Sequence, residues 1–229
     1  MRTLLTLLFW MIATPLAALV VIPYALLTGN SDPLYAVAMW IVRTGMRISG
    51  VRVTVRGRER LDPRQTYIFM SNHVSNLDPP LLVPALPKRT SVLVKKELFR
   101  IPVLGTAMRV GKLVPVNRHN REAAIQSVRD ASAVIRKGLD MTIFPEGTRS
   151  RDGRLLPFKK GPFYLALESQ CPIVPVTIRG THEILPKGRF FLRRGTAEIV
   201  FHEPLWAKDY PDRESLMAAT RAAVESALS

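Results

Sequence analysis

Several residue types and motifs that would define a function are missing from this sequence. It contains a single cysteine, Cys171, which excludes a disulfide scaffold. It has no G-x-S-x-G motif, which argues against a serine hydrolase, and no two glycines separated by one residue, which excludes a dinucleotide-binding fingerprint. Neither H-E-x-x-H nor C-x-x-C occurs, so the sequence predicts no metal site.

Acidic residues are also scarce. The 229 residues include 18 Asp and Glu against 33 Lys and Arg, so the formal net charge is +15. At the same time 47% of the residues are hydrophobic and the mean hydropathy is +0.10, which is too apolar for a disordered chain. A chain that is both basic and apolar indicates either nucleic acid or an anionic membrane as its partner.

Charge is almost absent from the N-terminal 42 residues. Residues 3–27 form an uncharged apolar run that is long enough to cross a hydrocarbon layer of about 30 Å. A secretory signal peptide is the alternative, although its apolar core is shorter, about 7–15 residues. A second apolar stretch, residues 34–48, follows the first, and Pro15 and Pro23 predict interruptions in the first. A transmembrane span and a helical hairpin that dips into one leaflet fit equally well.

The composition changes near residue 50, which predicts an N-terminal membrane-anchoring helical segment (residues 1–50) and a soluble domain (residues 51–229). In the second part, apolar runs of strand length alternate with helical periodicity; residues 121–137 are an example of a helix that ends at Gly138. This alternation predicts an α/β fold, with a mixed, mainly parallel sheet flanked by helices.

Two ionisable residues follow the strand predicted at residues 67–70. His73 and Asp78 are five positions apart, so they can meet only if the segment between them turns as a loop. The structural alternatives are a hydrogen-bonded histidine at a strand end and an N-cap aspartate before Pro79. A histidine held by a carboxylate is the arrangement of a general base, because the carboxylate fixes the tautomer and stabilises the imidazolium.

A second polar segment follows the strand predicted at residues 141–144. A tight turn explains its proline and glycine, but it does not require Glu146 and Arg149 on either side of Gly147. The basic residues that follow make a cluster suited to a phosphate group. Two further segments are a short apolar strand that ends in Arg118 and a strand bracketed by prolines at residues 172–176.

Together these four segments resemble the glycerolipid acyltransferases typified by 1-acyl-sn-glycerol-3-phosphate acyltransferase. That family is marked by an N-H-x-x-x-x-D block, a glycine-containing strand ending in arginine, a P-E-G-T-R block and a P-I-V-P-V strand. In this sequence they are residues 72–78, 111–118, 145–149 and 172–176. The blocks occur in the family's order, and the resemblance covers residues 51–205.

The resemblance implies transfer of a fatty acyl group from a thioester, acyl carrier protein or coenzyme A, to the sn-2 hydroxyl of lysophosphatidate, giving phosphatidate. The thioester is a co-substrate, and no cofactor or metal is implied. His73 would be the general base and Asp78 would orient it. Arg118 and Arg149 would bind the acceptor phosphate. Glu146, Gly147 and Thr148 would shape the pocket for that phosphate.

All of the net positive charge lies in residues 43–229, which predicts that the catalytic domain is on the cytoplasmic side of the membrane. We expect this membrane to be a bacterial-type inner membrane. Within the acyltransferase reading, another lysolipid such as lyso-ornithine lipid is an alternative acceptor. A non-catalytic basic protein that binds lipid or nucleic acid is a further alternative, but a nucleic-acid partner is not expected, because the basic stretches lack interleaved aromatic residues.

Overall fold

A computed structural model of the chain describes residues 2–117 and 121–228. Its α-helices are α1 (Arg2–Thr28), α2 (Asp32–Ser49), α3 (Asp78–Leu82), α4 (Leu104–Val110), α5 (Arg121–Arg136), α6 (Gly161–Ser169), α7 (Thr181–Ile184) and α8 (Arg213–Glu225). Its strands are β1 (Val51–Arg56), β2 (Ile68–Ser71), β3 (Thr90–Lys95), β4 (Val114–Val116), β5 (Asp140–Ile143), β6 (Ile173–Arg179) and β7 (Gly195–Phe201).

Within these ranges the strands form one seven-stranded sheet in the order β1-β7-β6-β2-β5-β3-β4. β6, β2, β5, β3 and β4 are parallel to one another, while β7 runs antiparallel to β6 and β1 runs parallel to β7. The mixed, mainly parallel α/β sheet predicted from the sequence is thereby confirmed.

Alternate residues of the central strands supply two hydrophobic cores, one on each face of the sheet. On β2, Phe69 packs with residues of α2 and α3, whereas Ile68 and Met70 pack with residues of α5, α6 and α8. All four residues of β2 are fully buried. Both faces of the strand are covered by helices, so residues 68–70 are all apolar rather than alternating with polar residues.

The carboxyl ends of β2, β5 and β6 lie side by side at one edge of the sheet, because these three strands are adjacent and parallel. The chain leaves β2 at Asn72, β5 at Phe144 and β6 at Gly180. Loops at this edge are the usual place for a site in an α/β fold. Two of the polar segments singled out in the sequence leave the sheet here.

The N-terminal helices α1 and α2 form a hairpin on the α3 side of the sheet. The indole Nε1 of Trp10 donates to the carbonyl of Ile41 at 3.3 Å, and Asp32 pairs with Arg89 of the sheet domain at 2.7 Å. By length and composition α1 could cross a membrane, and most of its large apolar side chains are exposed.

The interruptions predicted at Pro15 and Pro23 do not occur, since both prolines lie inside one continuous α1 of 27 residues. A proline removes one hydrogen bond from the helical ladder. Because helix formation is cooperative, the remaining bonds of so long a helix carry it past each proline.

Candidate active site

The structure brings His73 and Asp78 together. The chain does not continue as a helix after β2 but turns, and α3 begins only at Asp78. The imidazole Nδ1 of His73 lies 2.7 Å from Asp78 Oδ2. The same oxygen accepts the backbone N–H groups of Val74 and Ser75 at 2.7 and 2.8 Å. The carboxylate therefore shapes the loop that places the histidine against it.

Both oxygens of the Asp78 carboxylate have partners, although the side chain is fully buried. Oδ1 accepts the hydroxyl of Thr181, the first residue of α7, at 2.6 Å. A buried carboxylate is costly unless it is hydrogen-bonded, and these contacts offset its loss of water. They also fix the position of the oxygen that meets the imidazole.

The imidazole of His73 keeps one side accessible. Its side chain is 17% exposed, and its ring stacks on Phe144 at 4.2 Å between centroids. With Nδ1–H donated to the Asp78 carboxylate, Nε2 carries the free lone pair in the neutral ring. The arrangement can therefore take up a proton at Nε2 while the carboxylate stabilises the imidazolium that forms.

Glu146 is directed into the protein. Its Oε1 accepts the backbone N–H of His73 at 2.5 Å, and its Oε2 accepts the backbone N–H of Leu156 at 2.8 Å. The side chain is buried, and this burial raises the pKa of the carboxyl to about 7 despite those two hydrogen bonds. The carboxylate of Glu146 therefore joins the His73 loop to the loop around Leu156.

Replacing Glu146 by glutamine is expected to weaken the pH dependence of the free energy of unfolding. The folded-state pKa is about 7 and the ordinary value is 4.5. Between these two values the folded protein holds a proton that the unfolded chain has lost, so the free energy of unfolding falls as pH rises. The variant has no carboxyl at this position and should show a smaller fall, of which the part due to Asp140, whose pKa burial raises to about 6, remains. The measurement is guanidinium unfolding from pH 4.5 to 7.5.

A matched control for this experiment is Glu168→Gln, since Glu168 is an exposed glutamate on α6. It should leave the slope of unfolding free energy against pH as it is in the wild type. If Glu146→Gln keeps the wild-type slope as well, the carboxyl of Glu146 is not protonated in the folded protein at pH 6.

Gly147 and Arg149 occupy the turn after β5. Gly147 has φ +72°, a left-handed conformation that glycine adopts without strain, and its N–H closes the turn on the carbonyl of Phe144. The turn is joined to the histidine loop, because Ser150 N–H donates to the carbonyl of His73 at 2.8 Å. In the described part of the chain, Arg149 is half-buried as a residue, and its guanidinium has no hydrogen-bond or ion-pair partner.

A mainly apolar cavity of about 360 Å³ opens beside this turn. Its walls come from β3, β4, β5, α5 and α6, and Glu146, Gly147 and Thr148 of the turn also line it. Representative apolar lining residues are Leu93, Val116, Ile143, Phe144 and Leu165. Arg118, predicted to bind phosphate, lies outside the described residues; the chain is described up to Asn117, which lines the cavity.

Residues 181–187 contact the candidate active site, although no sequence pattern indicated them. Besides the bond from Thr181 to Asp78, the hydroxyl of Ser75 donates to the carbonyl of Leu185 at 2.7 Å. Lys187 Nζ donates to the carbonyl of Arg149 at 2.6 Å and lies 3.4 Å from Thr148 Oγ1. Only the place of this segment in the chain could have indicated it, because it directly follows β6 at the edge of the sheet from which the other two loops emerge.

Comparison with known proteins agrees with this geometry. Residues 52–179, more than half of the chain, match the model of a protein family described as Acyltransferase. The chain belongs to the acyltransferase family. The family resemblance stated from the four sequence blocks is thereby confirmed.

Relatives of this acyltransferase-family chain carry a more specific name. It is 41% identical over 164 residues to a 1-acyl-sn-glycerol-3-phosphate acyltransferase of Limnanthes douglasii, covering 71% of this chain and 58% of the relative. The beta form of the Homo sapiens enzyme is 36% identical over 161 residues, covering 70% of this chain and 58% of the relative. The chain thus spans little more than half the length of these curated relatives.

A solved structure matches nearly the whole acyltransferase-family chain. The crystal structure of the 1-acyl-sn-glycerophosphate (LPA) acyltransferase PlsC from Thermotoga maritima superposes with a TM-score of 0.78 at 26% identity. The match covers 99% of this chain and 95% of that one, so the shared fold includes the N-terminal helices.

Proposed function

We propose that this protein is a 1-acylglycerol-3-phosphate O-acyltransferase, which moves a fatty acyl group from a thioester to the sn-2 hydroxyl of lysophosphatidate. The observation that carries the proposal is the buried carboxylate of Asp78, 2.7 Å from Nδ1 of His73, at the edge of the sheet where three loops meet. The names of the relatives support the choice of acceptor.

In the proposed reaction His73 Nε2 removes the proton from the acceptor hydroxyl as its oxygen attacks the thioester carbonyl carbon. The new C–O bond forms and the C–S bond of the tetrahedral intermediate breaks. The proton then passes from the imidazolium to the departing thiolate, which leaves as the free thiol. Asp78 stabilises the imidazolium between these two steps. The acyl group passes directly between substrates, so no acyl-enzyme forms.

Arg149 is proposed to bind the acceptor phosphate. The residue is half-buried, its guanidinium has no partner among the described residues, and it follows the Gly147 turn that is bonded to the His73 loop. A guanidinium can hold a phosphate through two parallel hydrogen bonds. Arg118 is proposed as a second phosphate ligand on the family resemblance.

The apolar cavity beside the turn is proposed to hold an acyl chain. It is lined mostly by aliphatic and aromatic side chains, and one of them, Phe144, stacks on the imidazole of His73. An acyl chain lying there would have its thioester carbonyl directed toward His73. This fits the usual form of a ligand site, which is apolar with few polar groups that fix orientation.

The membrane is proposed as the place where the reaction occurs. Residues 1–50 would anchor the protein through the exposed apolar side chains of α1, and residues 51–229 would form the catalytic domain. We propose a bacterial-type inner membrane with this basic domain on the cytoplasmic side. The net charge of +15 suits both anionic headgroups and an acidic carrier protein.

The test is turnover by purified protein in detergent micelles, with a labelled fatty acyl group carried as a thioester on acyl carrier protein or on coenzyme A. The acceptors are lysophosphatidate, a lyso-ornithine lipid, lysophosphatidylcholine and glycerol 3-phosphate. Phosphatidate made from lysophosphatidate in preference to the others supports the proposal. Turnover on another acceptor alone would overturn the assigned substrate, and no turnover on any of them would overturn acyl transfer.

Within that assay, Arg149→Ala is expected to raise the KM for lysophosphatidate by roughly 10–100-fold while kcat changes less. A hydrogen bond to a charged group is worth about 1.5–3 kcal/mol, and the phosphate keeps its charge throughout the reaction. The matched control is Arg151→Ala, since Arg151 is exposed and two residues away. A fall in kcat with an unchanged KM would instead assign Arg149 to the transition state.

A further inference from the structure

We infer that residues 186–194, here named the aromatic loop, insert into an anionic lipid surface beside the start of α1. The loop joins α7 to β7, and its tip carries two neighbouring phenylalanines that nothing in the described part of the chain covers. Phe190 is 83% exposed and Phe191 is 80% exposed. Large adjacent apolar side chains held in water mark a contact site.

The charges around the two phenylalanines indicate which kind of surface the aromatic loop binds. The exposed residues Arg189, Arg193 and Arg194 flank the two phenylalanines, and residues 184–197 contain no Asp or Glu. Cationic side chains around an apolar tip are the pattern of a segment that lies at the boundary between headgroups and acyl chains. Each such cation near an anionic leaflet adds attraction. An anionic bilayer therefore fits this surface.

The aromatic loop is continuous with the apolar surface of α1. Leu192 N–H donates to Thr3 Oγ1 at 3.1 Å, and Thr3 Oγ1 lies 3.4 Å from the carbonyl of Leu192. The side chains of Arg2 and Arg194 both lie beside Gly50, in the space that a side chain at that position would occupy. The loop is thus fastened to the first turn of the helix whose exposed leucines face outward. One lipid surface can receive both elements.

The base of the aromatic loop is bonded to the candidate active site. Arg193 N–H closes the loop on the carbonyl of Ile184 at 2.9 Å, and Pro186 forms a β-bridge with Ser75 of the histidine loop. Lys187 donates to the carbonyl of Arg149. A loop inserted at its tip would hold the mouth of the site at headgroup level. This consequence, unlike the insertion itself, rests on the proposed function.

Insertion is tested by fluorescence quenching on the full chain. Cys171 is the sole cysteine and is buried, so a Cys171→Ala background accepts a single label at Phe191→Cys or, as a control, at Ile125→Cys on α5. The α5 residue lies on the opposite face of the sheet from the helical hairpin. Protein carrying an environment-sensitive dye is mixed with vesicles that contain phosphatidylglycerol and lipids with a quencher on the acyl chain.

The dye at position 191 should be quenched several-fold more strongly than the dye at position 125, and more strongly with phosphatidylglycerol than in phosphatidylcholine vesicles alone. Equal quenching at the two positions would overturn the insertion. Equal quenching of position 191 in the two kinds of vesicle would overturn the anionic preference.

The consequence for the site is tested by Phe190→Ser/Phe191→Ser against the control Ile125→Ser/Tyr164→Ser, whose residues are also about half exposed or more on the α5 and α6 side. The aromatic-loop variant should turn over vesicle-borne lysophosphatidate about tenfold more slowly, with no change on a water-soluble short-chain analogue. Equal losses on both substrates would assign the phenylalanines to the site itself. If wild type turns over neither substrate, the proposed function fails while the quenching result still decides insertion.

Discussion

Replacing His73 by alanine is expected to lower kcat for acyl transfer by about 10²–10⁴-fold, which is the usual contribution of a general base. The variant keeps Asp78, whose oxygens still accept the N–H groups of Val74 and Ser75 and the hydroxyl of Thr181. The loop should therefore keep its conformation while losing the group that removes the proton. The measurement is kcat at saturating donor and acceptor, with circular dichroism to verify folding.

The matched control is His202→Ala. His202 Nε2 lies 2.8 Å from Thr177 Oγ1, and that hydroxyl donates to the carbonyl of Val224 in α8. His202 therefore lies on the α8 side of the sheet, away from the His73 loop. Its loss should leave kcat near the wild-type value. Retention of more than about a tenth of kcat in His73→Ala would contradict the general-base role, because that loss is smaller than such catalysis supplies.

Much of the fold could be predicted because local sequence determined it. The strands predicted at residues 67–70 and 141–144 are short apolar runs, and each lies within one residue of the observed strand, β2 or β5. α5 was recognised by its helical spacing and the following Gly138. α4, in contrast, was missed: it starts after Val103, which has φ +63°, and no side chain caps it. A short helix without a cap leaves no local signal.

The order of the strands could not be predicted, because pairing joins residues far apart in the chain. β1 pairs with β7, more than a hundred residues later, and β7 reverses direction against β6. Hydrophobic periodicity reports which face of a strand is buried but not which strand lies beside it. The order of the strands depends on the packing of the whole domain.

The candidate site shows the same division. The sequence predicted His73 and Asp78 after one strand and Glu146 and Arg149 after another, and only the family resemblance joined the two segments. It supplied no hint that Thr181 meets Asp78 across 103 positions. Nor did it show that the Glu146 carboxylate turns inward to two backbone N–H groups, because that direction depends on the path of both loops. Long-range hydrogen bonds of this kind are visible only in three dimensions.

Replacing Asp78 by asparagine is expected to lower kcat by about 10²–10⁴-fold while the loop keeps its shape. The amide oxygen can take over the three N–H contacts of Oδ2, from His73, Val74 and Ser75. The Thr181 hydroxyl can rotate to accept from the new amide group. What the variant loses is the negative charge that stabilises the imidazolium and enforces its tautomer. The measurement is kcat together with the free energy of unfolding.

A comparison with Asp78→Ala separates charge from structure. Alanine leaves the buried N–H groups of Val74 and Ser75 without a partner, and each unsatisfied group costs about 1–3 kcal/mol. Asp78→Ala should therefore lose both activity and several kcal/mol of stability, whereas Asp78→Asn should lose activity alone. If Asp78→Asn keeps wild-type kcat, the carboxylate serves only to fold the loop. His73 would then act as a base without help from a charged partner.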